Sequence, residues 1–363
     1  MRCRIFKNLL IVKVLTGVLL SEVCLQTAYS QRKQWNLLPF PVVYYTPETR
    51  WAYGGAITST FRFRTDSLKA RPSQLSLGIV FTQEKQSLYY LPFQLFPQNG
   101  KYYFYGELGF YRYNYYFFGI GKDAIPKELY GVDFPRIRLN AFKKVSANTY
   151  LGVRYQYEDY RITETEPNGV FAQGKVVGSP RSQTSGVGLG LFYDSRDILF
   201  YPTKGAFVDA AYWFHSPIFG GNVTFQRLTA DAALFKKIGA KIVVAANLYG
   251  SLNWGNPPFN MLSEMGGSKR MRGYYQGRFR DNNVLLTQAE IRIDLIGRLK
   301  AVGFTALGLM GASKPVLRFA DPKMAHGVGL RFVANRKDAL NLRVDYAVGS
   351  DGGNYYFTIG EAF

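Results

Sequence analysis

GGSKRMRGYYQGRFRDNN, residues 266–283, lies between two segments that alternate in polarity as β-strands do. It is too long for a hairpin turn, and its four glycines allow positive φ angles and close approach of the backbone. It also carries five basic side chains, which are Lys269, Arg270, Arg272, Arg278 and Arg280. A loop of this composition is expected to fold back onto another part of the protein.

The segment after this loop, VLLTQAEIRIDLI at 284–296, predicts a strand with one polar and one apolar face. Gln288, Glu290, Arg292 and Asp294 share the polar face, whereas mainly leucine, isoleucine and alanine fill the other. The polar face therefore offers carboxylates to the arginines of the loop.

Segments of about ten residues with the same alternation recur along the chain, separated by turn residues. Four of them are TYLGVRYQYED at 149–159, GVGLGLFYD at 186–194, KIVVAANLY at 241–249 and LNLRVDYAV at 340–348. After the N-terminal segment, no apolar run reaches the ~18 residues that a transmembrane helix needs. A soluble β-sandwich would also alternate, but it would carry fewer aromatic residues near its strand ends. We therefore predict an all-β fold, a transmembrane antiparallel β-barrel whose apolar face contacts lipid.

The alternation predicts fifteen separate strands in this barrel. They lie near residues 52–64, 73–83, 86–96, 101–112, 131–143, 148–162, 184–195, 205–216, 222–237, 240–254, 284–296, 299–311, 325–336, 339–350 and 354–363. Single-chain bacterial barrels close with an even number of strands, so we expect sixteen, with PFPVVYY at 39–45 as the missing one. Short and long connections alternate, and the long ones, at 163–183, 255–283 and 312–324, are expected to be extracellular.

Residues 1–30 have the pattern of a secretory signal peptide, with a basic start, the apolar run LLIVKVLTGVLL and the triplet Ala28-Tyr29-Ser30. Cleavage after this triplet would leave one barrel domain, residues 31–363. An exported barrel of this kind is expected in the outer membrane of a Gram-negative bacterium. The lipoprotein alternative, with Cys24 acylated, is disfavoured because Glu22 stands where a small residue is needed.

The cysteine count excludes a role for disulfides in stability, and the charge limits the classes of partner. The two cysteines, Cys3 and Cys24, lie in the segment expected to be removed, so disulfides would contribute nothing to stability. Removal of that segment takes away four basic residues and one acidic residue and lowers the formal charge from +20 to +17. No nucleic-acid partner is expected, because the basic residues are spread singly through strands. Lipid phosphates or a basic lumen fit this charge better.

The chain offers little for catalysis or metal binding. Its two histidines, His215 and His326, are far apart in sequence and no cysteine accompanies them, so neither a zinc site nor a nucleophile relay is expected. No G-x-S-x-G elbow, phosphate-binding loop or calcium loop is present. We therefore expect no enzyme activity, no metal and no cofactor.

The acidic residues of YDSRDILFYPTKG are interpreted as turn residues. Asp194 and Asp197 flank Arg196, which favours ion pairing, and Pro202 to Gly205 predict a turn into the next strand. The alternative, acid–base chemistry by the two carboxylates, has no further motif in its favour.

The segment NYYFTIGEAF at 354–363 predicts a final strand that ends on an aromatic residue. Phe357, Ile359 and Phe363 are expected to face outward, with Glu361 as the exception to the alternation. Such an ending resembles the C-terminal signal by which outer-membrane barrels are recognised for insertion. The alternative is a plain edge strand.

These segments together resemble the bacterial surface antigen family, whose BamA-like barrels insert or translocate outer-membrane proteins. The most specific element is RMRGYYQGRFRDNN followed by TQAEIR, and PVVYYTPETRWAYGG and FYDSRDILFYPTKG are also similar. The resemblance implies a sixteen-stranded barrel with the extracellular loop folded into its lumen. The docking residues that it implies are Arg272, Gly273, Tyr274, Gly266, Gly267 and Gly277 in the loop and Glu290 on the wall.

The wall side of this docking site departs from the family pattern. Arg272 is expected to bind Glu290 at two points, because a guanidinium matches a carboxylate in shape and charge. Where the family's next strand shows F-x-D-x-G, this chain has FTALG at 304–308, so the aspartate is missing. Glu290, or the neighbouring Asp294, is therefore expected to carry more of the docking.

Two interpretations of function remain open. Family members that assemble or secrete proteins usually carry periplasmic polypeptide-transport-associated domains, but only about twenty residues separate Gln31 from Trp51, so a barrel-only member is expected. The first interpretation is an accessory factor in outer-membrane protein assembly or translocation, with membrane lipids, other assembly proteins and client barrels as partners. The second is an anion-preferring pore or a structural membrane protein.

Overall fold

A computed structural model describes residues 35–67, 70–121, 123–312, 321–335 and 339–363. The predicted signal peptide and part of the connection predicted at 312–324 lie outside these residues. Leu37–Phe363 forms one compact unit, to which Trp35 and Asn36 do not belong.

Sixteen strands close into an antiparallel barrel, which confirms the predicted fold and strand number. The strands of the described residues are β1 (Trp35–Thr46), β2 (Arg50–Phe61), β3 (Ser73–Thr82), β4 (Ser87–Leu95), β5 (Tyr102–Ile120), β6 (Asp123–Lys144), β7 (Thr149–Thr165), β8 (Arg181–Asp194), β9 (Gly205–His215), β10 (Phe225–Ile238), β11 (Ile242–Gly255), β12 (Ser263–Met265), β13 (Phe279–Asp281), β14 (Asn283–Asp294), β15 (Leu299–Gly311), β16 (Lys323–Asn335), β17 (Leu340–Gly349) and β18 (Gly352–Ile359). β12 and β13 form a separate two-stranded sheet, so β11 pairs with β14, and β18 closes the barrel on β1. The sixteenth strand is β1, which contains the predicted segment 39–45.

Alternation sorts the side chains of each strand between the lumen and the lipid-facing surface, as predicted. In β14, Glu290 and Arg292 are buried (1% and 0% exposed), whereas Ile291 between them is 52% exposed. Because the strands pair with their neighbours around a closed ring, most backbone groups of the wall are satisfied, and its apolar outer surface can face hydrocarbon.

β5 and β6 extend further than predicted. The strand expected at 101–112 continues to Ile120, because its added residues are mostly aromatic and find ring partners from two loops. Phe117 packs against Phe171 and Phe259, with ring centroids 5.0 and 5.9 Å apart. These contacts hold the hairpin beyond the segment that alternates regularly.

The two largest clusters of buried apolar side chains among the described residues lie inside the barrel. One is aromatic, lies mainly on β5–β7 and includes Phe134 and Tyr160. The other lies between β14–β16 and the loop that follows β11, and it includes Met265, Met271 and Tyr274. Among the described residues, Pro217–Phe219 and Phe259–Met261 form single helical turns, whereas Pro97–Gly100 is a turn in which Gln98 and Asn99 have positive φ angles. Within the described part of the chain, no helix has the length and hydropathy to cross a membrane.

Candidate functional site in the barrel lumen

The loop between β11 and β14 enters the lumen on a two-stranded stem. β12 pairs with β13, which sets Met265 opposite Phe279. Gly266, Gly267 and Gly277 have φ angles of 115°, 84° and 71°, which glycine adopts without strain. The glycines therefore let the chain reverse tightly at the end of the stem and present the residues between them to the barrel wall.

Arg272 lies at the tip of this loop and binds two carboxylates, with only 2% of the residue exposed. One terminal nitrogen contacts Glu290 on β14, and the other donates to Asp345 on β17 at 2.8 Å. The guanidinium lies 3.5 Å from the centre of the Phe304 ring on β15. Charge-assisted hydrogen bonds and cation–π attraction therefore join the tip to three strands of the wall.

The expected two-point pairing of Arg272 with Glu290 alone is wrong. The second carboxylate oxygen of Glu290 accepts a hydrogen bond from Nε of Arg292 at 2.8 Å, so only one oxygen is left for the loop. The other terminal nitrogen of Arg272 donates to the carboxylate of Asp345. Asp345 thereby supplies the second carboxylate of the docking site, which FTALG at 304–308 lacks.

The expectation that Asp294 shares in the docking is also wrong. Its carboxylate binds Nζ of Lys300 at 2.6 Å, and its side chain is 45% exposed. Asp294 is the last residue of β14, four residues beyond Glu290, or about 13 Å along the strand. The shared face is therefore as predicted, but Asp294 lies at the rim rather than beside the loop.

The ion pairs continue from the loop tip towards the segment after β18. Arg331 on β16 contacts the second oxygen of Asp345 and donates to Glu361 through Nε, at 2.8 Å. Arg292 donates to the backbone carbonyl of Phe363 at 3.2 Å. The acidic exception in the final alternating segment, Glu361, is thus a luminal ion-pair partner.

The segment after β18 turns into the lumen, which corrects the predicted outward orientation of Phe363. β18 ends at Ile359, and Gly360 has a φ angle of 82°, so the alternation stops there. The ring of Phe363 lies 6.4 Å from that of Phe235 on the luminal face of β10. Ile359 faces outward as predicted, and Phe357, which is registered between Tyr45 of β1 and Val344 of β17, has the same parity along β18.

Gly273 and Tyr274 fix the tip against β16–β18. Gly273 has a φ angle of 110°, and its N–H donates to the hydroxyl of Tyr356 at 3.1 Å. The hydroxyl of Tyr274 donates to the carbonyl of Met324 at 2.8 Å and accepts from the N–H of Ser350 at 2.9 Å. The three residues of the RGY element therefore each make specific contacts with the wall.

The outer part of the loop contacts the turn between β1 and β2. The N–H of Gln276 donates to the carboxylate of Glu48 at 2.7 Å. Burial raises the pKa of Glu48, although the hydrogen bond from Gln276 opposes this shift. Arg278 contacts Asp351 in the turn between β17 and β18. The loop is thus held at both its tip and its outer end.

The remaining predicted residues lie in the turn between β8 and β9. Asp194 accepts two parallel hydrogen bonds from Arg196, both 2.8 Å long. Asp197 instead accepts from backbone N–H groups across the turn, at 2.9 and 3.1 Å. Pro202 precedes the end of this turn, and Gly205 follows it with a φ angle of 97°. The arrangement is that of a closed turn.

The described residues offer no arrangement suited to a metal ion, since no group of three or more histidine, cysteine, aspartate or glutamate side chains converges among them. His215 stacks on Phe225 with ring centres 3.9 Å apart, and His326 contacts the hydroxyl of Thr305 at 2.9 Å. Ionic contacts and hydrogen bonds join the loop to the wall in the described part of the lumen.

Comparisons with known proteins fit this architecture. Residues 62–363 match the Omp85 superfamily domain. Among solved structures, the chain is similar to BamA from Haemophilus ducreyi lacking POTRA domains 1–3 (13% identity, TM-score 0.64), to CdiB from Acinetobacter baumannii (16%, 0.60) and to CdiB from Escherichia coli (10%, 0.63). These matches cover 91%, 90% and 91% of this chain and 70%, 60% and 63% of the others. A search of the curated proteins finds no match. At such identities the structural likeness shows the fold alone.

Proposed function

Because the chain belongs to the Omp85 superfamily, we propose that it works in the outer membrane of a Gram-negative bacterium as an accessory factor in the assembly or translocation of outer-membrane proteins. Two features of the described residues support this function, a short seam between the first and last strands and a luminal loop docked beside it. The partners would be membrane lipids, other assembly proteins and unfolded client barrels.

The seam between β1 and β18 is the observation that carries this function. Among the described residues, these strands share one registered pair, Tyr45 opposite Phe357, whereas β17 and β18 share eight. Short pairing leaves strand edges available, and an available edge can add a strand from another chain. A seam that opened towards lipid would offer a client strand a template for pairing.

The docked loop supports the same function because it binds the seam strand. The hydroxyl of Tyr356, next to the seam residue Phe357, accepts the N–H of Gly273 at 3.1 Å. The side-chain amide of Asn354 donates to the carbonyl of Gly273 at 2.8 Å. Docking of the loop therefore restrains β18, and withdrawal of Arg272 from the wall would release this restraint.

A disulfide across the seam tests the assembly function. The chain after residue 30 contains no cysteine, so Tyr45→Cys and Phe357→Cys can be combined without competing thiols. Proteoliposomes with the protein should accelerate the folding of a urea-denatured, eight-stranded outer-membrane barrel. Oxidation of the double variant should abolish this acceleration and reduction should restore it. Acceleration that survives complete oxidation would contradict assembly through the seam.

The matched control links β18 to its other neighbour. Val344 on β17 is registered opposite Phe357, so Val344→Cys with Phe357→Cys places a disulfide where the pairing is continuous. This variant should fold the client at the wild-type rate whether oxidised or reduced. Loss of activity in both disulfide variants would indicate general rigidity rather than opening at the seam.

The alternative of an anion-preferring pore makes a different electrical prediction. The docked tip occupies the lumen with Arg272 and its partners, which favours a blocked barrel over an open channel. Recordings in planar bilayers should therefore give low, flickering conductance. A steady, wide and anion-selective conductance would favour the pore.

A further inference from the structure

We propose that the lipid-facing wall over β4–β9 binds one anionic phospholipid of the periplasmic leaflet. The site combines two lysines at the rim with an apolar groove that begins beside them. This rim lies opposite the long connections between β7 and β8 and between β11 and β14, which outer-membrane barrels direct to the cell exterior, so it faces the periplasm. None of its residues belongs to the loop or the seam, so the site does not depend on the assembly function.

The head-group part lies where β5 begins and β6 ends. Lys143 is registered opposite Tyr102, and Nζ of Lys101 lies 5.8 Å from the centre of the Tyr102 ring. The N–H of Lys144 donates to the carbonyl of Lys101 at 2.8 Å, which holds the two strand ends together. Lys101 and Lys143 are exposed, and neither forms an ion pair with a carboxylate of the described residues. Two exposed positive charges therefore lie beside an aromatic residue at the membrane edge.

The acyl-chain part is an apolar groove of about 660 Å³ on the outside of the barrel. Ala141 is registered between Phe104 and Val153. Because its side chain is smaller than both neighbours, a groove forms between them. Leu189 and Phe214 continue its lining across β8 and β9. These larger side chains face outward and are more than a third exposed, so the groove opens to the hydrocarbon.

Register joins the two parts into one site. Phe104 lies two residues after Tyr102 on the same face of β5, about 7 Å along the strand. Their rings stack with centroids 6.3 Å apart. On β6, Ala141 precedes Lys143 by the same two residues. An acyl chain in the groove would therefore bring its phosphate to the level of Lys101 and Lys143.

A phospholipid matches both parts, whereas other ligands match one. Lysine is a compact point charge that suits phosphate, and tyrosine is favoured at the level of lipid head groups. Free phosphate would not occupy an apolar groove, and a neutral lipid would not select for lysines. The turn between β10 and β11 has the positive charge without the groove. Lys236 and Lys241 are exposed there, but no residue of β10 or β11 lines the groove.

Native mass spectrometry of the purified barrel tests the site with two lipid probes, dioleoylphosphatidylglycerol and dioleoylphosphatidylethanolamine. The wild type should retain one molecule of the anionic lipid under conditions that remove the zwitterionic one. Lys101→Gln with Lys143→Gln should weaken retention of the anionic lipid about tenfold. The matched control, Lys236→Gln with Lys241→Gln, should leave it unchanged.

A second pair of variants tests the groove. Ala141→Phe fills it and should also weaken retention about tenfold, whereas Ala289→Phe, on the lipid-facing side of β14, should have no effect. Val153→Trp fills the same groove from β7 and replaces Ala141→Phe if that variant fails to show the heat-dependent gel shift of a folded barrel.

Three results would overturn the site. Equal losses from both lysine pairs would show a diffuse basic rim. Equal retention of the two lipids would show that the head group is not recognised. Retention that is unaffected when Ala141→Phe or Val153→Trp fills the groove would show that the acyl chain lies elsewhere.

Discussion

Two sides of the same lumen hold the loop between β11 and β14 by different chemistry. On the side of β14–β18, buried charges of opposite sign alternate, and they are Arg272, Arg292, Arg331, Glu290, Asp345 and Glu361. On the side of β5–β7, aromatic rings dominate, and they include Tyr111, Tyr130, Phe134, Tyr160 and, from the loop, Phe259. The stability of the ionic side depends on each of these partners, because removal of one leaves a buried charge unpaired and destabilises the folded protein. The aromatic side tolerates changes of shape more readily.

The ionic side should show the largest effect of a single substitution. Arg272→Ala should lower the free energy of unfolding by roughly 3 to 5 kcal/mol, because it leaves Glu290 and Asp345 without their shared cation. Glu290→Ala should lower the free energy of unfolding by a similar amount, and the double variant should lower it by less than the sum of the two single changes. Arg272→Lys should recover only part of the loss, because one ammonium cannot replace a fork that spans two carboxylates. Urea-induced unfolding of the barrel in lipid vesicles measures all four proteins.

The control on the same loop is an ion pair with more exposure to solvent. The Arg278 and Asp351 side chains are 25% and 39% exposed, so Arg278→Ala should cost at most about 1 kcal/mol. If Arg272→Ala and Glu290→Ala are additive to within about 0.5 kcal/mol, the two residues do not act as a pair. The distinction between the ionic and the aromatic side would then lose its main support.

The aromatic side should give a smaller and more forgiving response. Phe259→Ala should cost about 3 kcal/mol, since the ring packs between Phe171 and Tyr130. Phe259→Leu should cost less than about 1.5 kcal/mol, because an apolar side chain of similar size can repack there. The same unfolding measurement applies. A Phe259→Leu variant as unstable as Phe259→Ala would mean that the aromatic side is as demanding as the ionic side.

Sequence alone predicted the luminal face of the regular strands but not which residues of that face meet. Alternation assigned Glu290 to the luminal face, the same alternation in LNLRVDYAV at 340–348 gives Asp345 the polar parity, and both residues are buried in the lumen. Their shared contact with Arg272 depends on the distance between β14 and β17 across a closed wall, which no local pattern records. Asp294 has the same parity as Glu290, and periodicity does not show that the strand ends at the rim.

Strand ends were the least predictable part of the fold. In NYYFTIGEAF, Phe363 has the parity of Ile359 despite the exception at Glu361, so the pattern does not show that Gly360 turns the chain inward. Glu361 was the one visible irregularity, and its ion pair with Arg331 explains why an acid is found there. The end of β5 was missed for a related reason, because its extension to Ile120 depends on loop residues such as Phe171 that are distant in sequence. Both outcomes follow from tertiary contacts rather than from local periodicity.

A smaller effect is expected where the wall leaves space for Tyr274. An added Cβ on Gly349 would lie 2.4 Å from the Tyr274 ring, so Gly349→Ala should cost about 1 to 3 kcal/mol. It should also increase proteolysis within 255–283, because the ring must move. Gly303→Ala is the matched control, since nothing lies within 4 Å of its added Cβ. Equal sensitivity of the two variants would show that the tip does not rely on this close contact.

The smallest effect is a pH dependence at the outer end of the loop, where a carboxylate meets a backbone amide instead of a guanidinium. Burial raises the pKa of Glu48 above its ordinary value of 4.5. A carboxyl group with a raised pKa binds its proton more tightly in the folded state, so its contribution to stability is complete below the unfolded pKa. This contribution is lost as the pH rises through the folded pKa.

Glu48→Gln isolates this dependence, because the amide keeps an acceptor for the N–H of Gln276 but cannot titrate. As the pH falls from 7 to 4, the wild type should gain stability relative to this variant, by about 1 kcal/mol or less. Unfolding free energies of both proteins at a series of pH values measure the difference. A wild type that loses stability relative to Glu48→Gln on acidification would mean that Glu48 is stabilised as a carboxylate. The outer contact would then resemble the ionic side of the lumen, where carboxylates are held by positive charge.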